Sequence, residues 1–243
     1  MPQSPLSRLK LLGAPAFVLS GSPVELGSNK ALAMLAYLAL SREPVARSEL
    51  DVMFWPDSET LKARRSLREE LSRLRKHLPT GLLRCQGQYV SLESSVRVDV
   101  WAFESALSEG RWERACTLYT GELLEGLFVR NAGSFETWLA SERERLQGRY
   151  VQVLHQLGQK AFQAGEIGVA LAYAQQIIAT NPLTEGAYLQ AMRLAQGIGE
   201  TAIALEIYHS LLLLLRREFG IAPSGEAAAL AREIATASRA AVA

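Results

Sequence analysis

The sequence predicts a mainly α protein in two modules. The first is a small β-sheet with three helices and a hairpin; the second is an all-α array of paired helices. Three observations carry this. Apolar residues recur at helical spacing over most of the chain, and Gly and Pro fall mainly at joints. In the first hundred residues, short β-like runs flank the helical pattern on both sides. Charge is also divided unevenly. Residues 1–98 carry 14 Lys/Arg against 9 Asp/Glu, a balance of +5, and residues 99–243 carry 12 against 16, a balance of −4. A basic front and an acidic back suggest modules with different partners.

Composition narrows the class further. The chain has 243 residues, 49% of them hydrophobic and 21% charged, which describes a globular protein. A chain of this length buries roughly 70–75% of its unfolded surface, enough for one large core or two ordinary ones. The longest apolar run, Ala31–Leu40, is about half of the ~20 residues a bilayer-spanning helix needs. The N-terminus, MPQSPLSRLK, has no apolar stretch of signal-peptide length, so a cytoplasmic protein without a membrane segment is expected. Cys85 and Cys116 are too few for a disulfide framework or a four-ligand zinc site and read as small buried hydrophobes.

Along the front module, Leu9–Leu12 and Phe17–Leu19 read as strands, the second ended by Gly21-Ser22-Pro23. A helix follows from Asn29 to Leu40, stopped by Glu43-Pro44. A short helix over Arg47–Phe54 places Leu50, Met53 and Phe54 on one side, and Trp55-Pro56-Asp57-Ser58 ends it. The third helix, Glu59–Leu78, has Leu67, Leu71, Leu74 and Leu78 in one stripe and seven Lys/Arg against three Glu. Leu82–Cys85 and Tyr89–Leu92 then form a hairpin around Gln86-Gly87-Gln88.

The back module shows self-similarity. Gly165 with Ala170, Tyr173 and Ala174 recurs 34 residues on as Gly199 with Ala204, Ile207 and Tyr208, which is the tetratricopeptide period. Gly110 with Ala115, Leu118 and Tyr119 repeats the pattern 55 residues earlier. Gly permits a tight turn between helices, and Ala permits their close approach.

The third helix of the front module is the chemical feature that stands out. Its polar face holds Lys62, Arg65, Glu69, Ser72, Arg73 and Lys76, with Arg64, Arg68 and Arg75 towards the flanks. Alone, such a face is a solvated surface with intrahelical pairs such as Glu69 with Arg65 or Arg73. As the third helix after a tight pair, with a hairpin behind it, it matches a winged helix. There the third helix enters the major groove and the hairpin reaches the adjacent backbone or minor groove. Arginine forks suit guanine edges or paired phosphate oxygens. Arg84, Gln86 and Gln88 then fall at the wing, and Arg42 and Arg47 flank the second helix as phosphate holders.

No enzymatic constellation competes with this. His77, His155 and His209 are scattered without a second ligand at metal spacing. Gly27-Ser28-Asn29-Lys30 lacks the phosphate-loop spacing and the Ser/Thr after its lysine, and no Gly-x-Ser-x-Gly elbow occurs. Trp101, Trp112, Trp138 and Tyr119 read as packing residues. No catalytic residue, metal or cofactor is expected.

The motifs resemble a known family. RLKLLGAPAFVLS (8–20), KALAMLAYLAL (30–40), PVARSELDVMFWPD (44–57) and RRSLREELSRLRKHL (64–78) are similar to the DNA-binding half of the Streptomyces antibiotic regulatory protein family, an OmpR-type winged helix. DVWAFESALS (99–108), LYTGELLEG (118–126), WLASERERL (138–146), NPLTEGAYLQAMRL (181–194) and ALEIYHSLLLLLRREFGIAPS (204–224) resemble its bacterial transcriptional activation domain, a tetratricopeptide-like array. Asn181 departs from the family's usual Asp. Ala46 stands where a small hydroxyl usually caps the second helix, an absence that costs about 1 kcal/mol. The resemblance implies a winged helix over 1–97 and an activation domain over 98–243. It further implies a cytoplasmic, nucleoid-associated activator that binds direct repeats in double-stranded DNA near a promoter. Two protomers would sit in tandem and contact RNA polymerase and its sigma factor. Larger relatives append an ATPase or a phosphopeptide-binding domain; this sequence runs to Ala243 with neither, so ATP-driven control within it is not expected. The rival expectation is a tetratricopeptide-like signalling scaffold whose basic front binds a protein or peptide.

Overall fold

The structure, a computed structural model, describes residues 7–242; the first six residues, on which part of the expectation of no leader rests, and Ala243 lie outside the described residues. By compactness the chain divides into a unit through Gln147 and a unit from Gly148. The sequence boundary at 97/98 falls inside the first of these.

The first unit opens with β1 (Ser7–Lys10), β2 (Ala16–Leu19) and β3 (Ser22–Val24), an antiparallel meander. β1 alternates Ser7 and Leu9 inward with Arg8 and Lys10 outward. The strand stops two residues before the expected Leu12, because Leu11 and Leu12 are both buried and successive residues of a strand cannot share a face. The expected stop at Gly21-Ser22-Pro23 is instead a third strand. Ser20 (φ 51°) and Gly21 (φ 93°) make the tight hairpin turn, and Pro23 is tolerated because β3 lies at the sheet edge.

Helices α1 (Asn29–Ser41), α2 (Arg47–Phe54) and α3 (Thr60–His77) follow. β4 (Val45–Ala46) leads into α2 and pairs with β6 (Tyr89–Leu92) of the hairpin, whose first strand is β5 (Leu83–Gln86), giving the order β4-β6-β5. β7 (Arg97–Val98) returns parallel to β1 and closes the first sheet as β3-β2-β1-β7. This is a winged helix, and its core is Leu35, Leu38, Leu50, Phe54, Leu67, Leu71 and Val90, each at most 2% exposed.

The chain continues into α4 (Asp99–Ser108) and α5 (Trp112–Leu118), which belong to the same unit. Asp99 joins them to the sheet. One carboxylate oxygen accepts the N–H groups of Leu11 (2.8 Å) and Leu12 (3.0 Å), and the other accepts that of Val100 (2.8 Å). The irregular stretch 119–132 is strapped along the turn after β1. Gly13 donates its N–H to Glu122 O and Leu124 donates to Leu11 O. Gly13 (φ 86°) and Gly121 meet so closely that a Cβ on Gly121 would lie 2.9 Å from the Gly13 Cα, which accounts for glycine in both motifs. The start of α6 (Gly133–Gln163) adds an aromatic cluster: Phe135 stacks on Phe54 at 5.1 Å, and Trp138 meets Tyr37 edge-on at 4.8 Å.

The second unit holds the rest of α6 with α7 (Ile167–Thr180), α8 (Glu185–Gly197), α9 (Thr201–Phe219) and α10 (Gly225–Val242). Each of the last four helices packs on the next around Ala170, Ala174, Ala191, Ala195, Ala204 and Ile207. The sequence repeat is a repeated turn. Glu166 N–H donates to Ala161 O and Glu200 N–H to Ala195 O, both at 2.9 Å, across Gly165 (φ 77°) and Gly199 (φ 79°). Arg111 N–H donates to Ala106 O at 2.8 Å across Gly110 (φ 67°), the same closure between α4 and α5.

Replacing Asp99 by Ala orphans three backbone donors. The expected cost is about 2–3 kcal/mol, read as a lower urea midpoint; an unchanged midpoint would remove Asp99 from the account of this junction.

Candidate nucleic-acid interface

Helix α3 is oriented by what it buries. Leu67, Leu71 and Leu74 are 1%, 2% and 0% exposed. At 100° per residue that leaves Lys62, Arg64, Arg65, Arg68, Glu69, Ser72, Arg73, Arg75 and Lys76 outward, and all nine are exposed. Glu70, on the inner flank, is a buried carboxylate that accepts from the Ser28 hydroxyl and pairs with Arg73 at 3.2 Å. Ser28 also caps α1, accepting from Ala31 N–H at 3.0 Å, so one side chain ties the start of α1 to the back of α3. Arg65 pairs with Glu69 at 3.0 Å; its side chain remains 80% exposed, and such a pair is worth only tenths of a kcal/mol. Arg68 Nε donates to Arg64 O at 3.2 Å. Lys62, Arg75 and Lys76 form no ion pair among the described residues.

Three elements converge on a cavity of about 360 Å³ lined by Arg47 and Ser48 of α2, Asp51, Arg64, Arg68 and Gln88. Arg47 N–H donates to Gln88 O at 2.8 Å, which fixes the hairpin turn against the start of α2. Ala46, the N-cap residue of α2, offers no side-chain cap. Asp51 is 7% exposed, and its Oδ1 has no hydrogen-bond partner. Burial pushes its carboxyl above the usual 3.8, while Arg64 and Arg47 pull it back. Ser48 and Asp51 escaped the sequence reading because one serine and one aspartate on a short amphipathic helix carry no pattern. Leu61, 78% exposed on the first turn of α3, escaped because apolar residues were assigned to the core stripe.

The structure thus gathers Arg47, Arg64, Arg68 and Gln88, and sets Lys62, Arg65, Glu69, Ser72, Arg73 and Lys76 on the adjoining open face. Gln86 is exposed at the end of β5, and Arg84 on that strand is paired with Glu93. Arg42 stands apart from the α3 cations in its contacts. It caps α1 at φ 57°, pairs with Glu104 of α4 at 2.5 Å, and has its guanidinium 5.8 Å from the Trp101 ring centroid. Lys30, which ends the superficial phosphate-loop string, donates to Phe54 O at 2.7 Å and lies over the Trp55 ring at 4.5 Å. Trp101 donates to Ala39 O at 3.0 Å, and Tyr119 lies 5.6 Å from Phe103 between ring centroids. His77, His155 and His209 lie on α3, α6 and α9.

Fold and site together define a winged helix with a cationic third helix, followed by a tetratricopeptide-like helical array. Residues 98–235, more than half of the chain, match the bacterial transcriptional activator domain, and the chain belongs to that family of transcriptional regulators. The transcriptional regulatory protein MoaR1 of Mycobacterium bovis (strain BCG / Pasteur 1173P2) is 24% identical over 93% of this chain and 78% of its own length. The solved structure of Mycobacterium tuberculosis EmbR in complex with low affinity phosphopeptide superposes with a TM-score of 0.68 at 21% identity. That match covers 96% of this chain and 65% of EmbR, and the likeness is one of fold. No helix of the described residues is long and apolar enough to cross a membrane.

Asp51 makes a pH prediction. Its raised pKa means that the folded chain holds the proton more tightly than the unfolded chain. Stability from this group is therefore present below the unfolded value and is lost as pH rises from 3.8 through the folded value. Asp51→Asn should be more stable than the parent near neutral pH, with the gap narrowing as the medium is acidified. Urea unfolding at stepped pH reads this, and a gap independent of pH would contradict it.

Proposed function

We propose that the chain is a sequence-specific DNA-binding transcriptional activator. Residues 1–97 read DNA, and residues 98–243 serve activation. The observation that carries the reading is the outward cationic face of α3 over a fully buried leucine stripe. Lys62, Arg65, Arg68, Glu69 and Ser72 are assigned to base edges, with Leu61 placed for a thymine methyl. Arg64, Arg73, Arg75, Lys76, Arg42 and Arg47 are assigned to phosphates, and the uncapped N-terminus of α2 beside Arg47 favours an anion there. Arg84, Gln86 and Gln88 belong to the wing. Surface pairs such as Arg65–Glu69 are weak enough to open for a phosphate or base.

Family membership supports the regulator class. The finer reading adds binding to direct repeats near a promoter by two protomers in tandem, and contact with RNA polymerase and its sigma factor. It also places the protein in the cytoplasm, on the nucleoid. No cofactor or catalytic step is required.

A gel shift of the full chain on its own upstream DNA tests the reading. Affinity should fall with salt, log K against log salt sloping by about −0.9 per phosphate neutralised. Arg65→Ala or Arg68→Ala should lose about 1–3 kcal/mol for specific DNA if it removes a base contact. Lys76→Ala should weaken all sequences alike. Absence of any shift at low salt would favour a protein-binding scaffold and end the DNA reading.

A further inference from the structure

A second cationic cluster lies away from α3, on the outer face of the first sheet. Arg8 and Lys10 project from β1, Arg97 from β7 and Arg114 from α5, and all four line one cavity of about 390 Å³. Arg8 and Arg97 are direct partners in the parallel β1–β7 ladder. Neighbouring strands lie about 4.8 Å apart, and like charges placed opposite each other destabilise a sheet. No carboxylate forms an ion pair with Arg8, Lys10 or Arg97 among the described residues. Arg114 feels Glu109, which is itself paired with Arg111 at 2.7 Å. The carboxylate that lines the cavity, Asp99, is occupied by three backbone N–H groups. The lining also includes the apolar Leu12, Ala102 and Leu118 and the hydroxyl-bearing Thr117 and Thr120. A smaller cavity of about 280 Å³ shares Arg8 and Lys10 and is otherwise lined by Ala16, Val18, Gly21 and Pro23.

Unpaired cations held around a recess attract anions, and arginine forks grip phosphate oxygens in pairs. The recess has the volume of a small-ligand site. We propose that this cavity binds a small polyphosphorylated molecule. Its phosphates lie between Arg8, Lys10, Arg97 and Arg114, and its remaining body rests on Ala102 and Leu118. The site rests on cations that the DNA reading does not use.

The test is thermal unfolding of the full chain titrated with inorganic tripolyphosphate at constant ionic strength, with an equivalent chloride series as control. A saturable rise in Tm is expected, weakened at least tenfold in Arg8→Gln/Arg97→Gln and unchanged in Lys62→Gln/Lys76→Gln. The gel shift should respond in the opposite way, falling in the α3 variant and holding in the sheet variant. If the double sheet variant does not fold, Lys10→Gln and Arg114→Gln, on different elements, should each weaken binding severalfold. No saturable stabilisation, or equal loss in the α3 variant, overturns the proposal. A sheet variant that loses DNA affinity while tripolyphosphate competes with DNA also overturns it, and makes the cluster a second DNA-backbone contact.

Discussion

The rotation of α3 about its own axis is set by three leucines, and the chemistry of the front module follows from it. Burying Leu67, Leu71 and Leu74 at 1%, 2% and 0% exposure is worth about 1.5–3 kcal/mol per side chain. No surface ion pair competes with that. A quarter-turn of the helix would bring an arginine into the core, where an unpaired charge costs several kcal/mol. Apolar burial therefore places the cations, and Glu70 refines the placement by fastening the inner flank to Ser28 at the start of α1. The start of α1, the back of α3 and the leucine core form one mechanical unit, and the guanidinium groups stand on its outer side.

Much of this was legible in the sequence wherever one residue type repeated at a fixed interval. The α3 stripe, the hairpin glycine and the order of the first three helices all follow from spacing. β7 was not legible. It is two residues long, without an alternating pattern of its own, and its partner β1 is 89 positions away, Arg8 facing Arg97. The strap at 119–132 was also hidden, because its bonds to the sheet are mostly backbone to backbone, and the side chains that hold it, Thr120 on Leu12 O and Arg143 on Leu123 O and Leu124 O, follow no fixed spacing. Within the candidate site, the cations were legible as a cluster but their grouping was not. Arg47 and Gln88 meet because β4 pairs with β6, a two-residue ladder that periodicity does not reveal. Arg42, three residues before Val45, goes instead to Glu104.

The front unit is therefore larger than the winged helix alone. Asp99, the strap and the Phe54–Phe135 stack all belong to one compact body that extends to Gln147. The acidic balance of the second half is also unevenly used. Glu104 holds Arg42 and Arg145 at 2.5 and 2.7 Å, and so spends its charge inside the first unit.

The three matching glycine turns are not equally spaced, and the inequality has a consequence. Gly165 and Gly199 are one tetratricopeptide period apart, whereas Gly110 precedes Gly165 by 55 residues. Two thirds of the surplus of 21, residues 119–132, lies where the chain abandons helical stacking to run along Leu11, Leu12 and Gly13, and the rest lies in the length of α6. Natural variation in chain length should therefore be restricted between Tyr119 and Ala132. There, one residue more or fewer shifts the whole strap out of step with the sheet it closes.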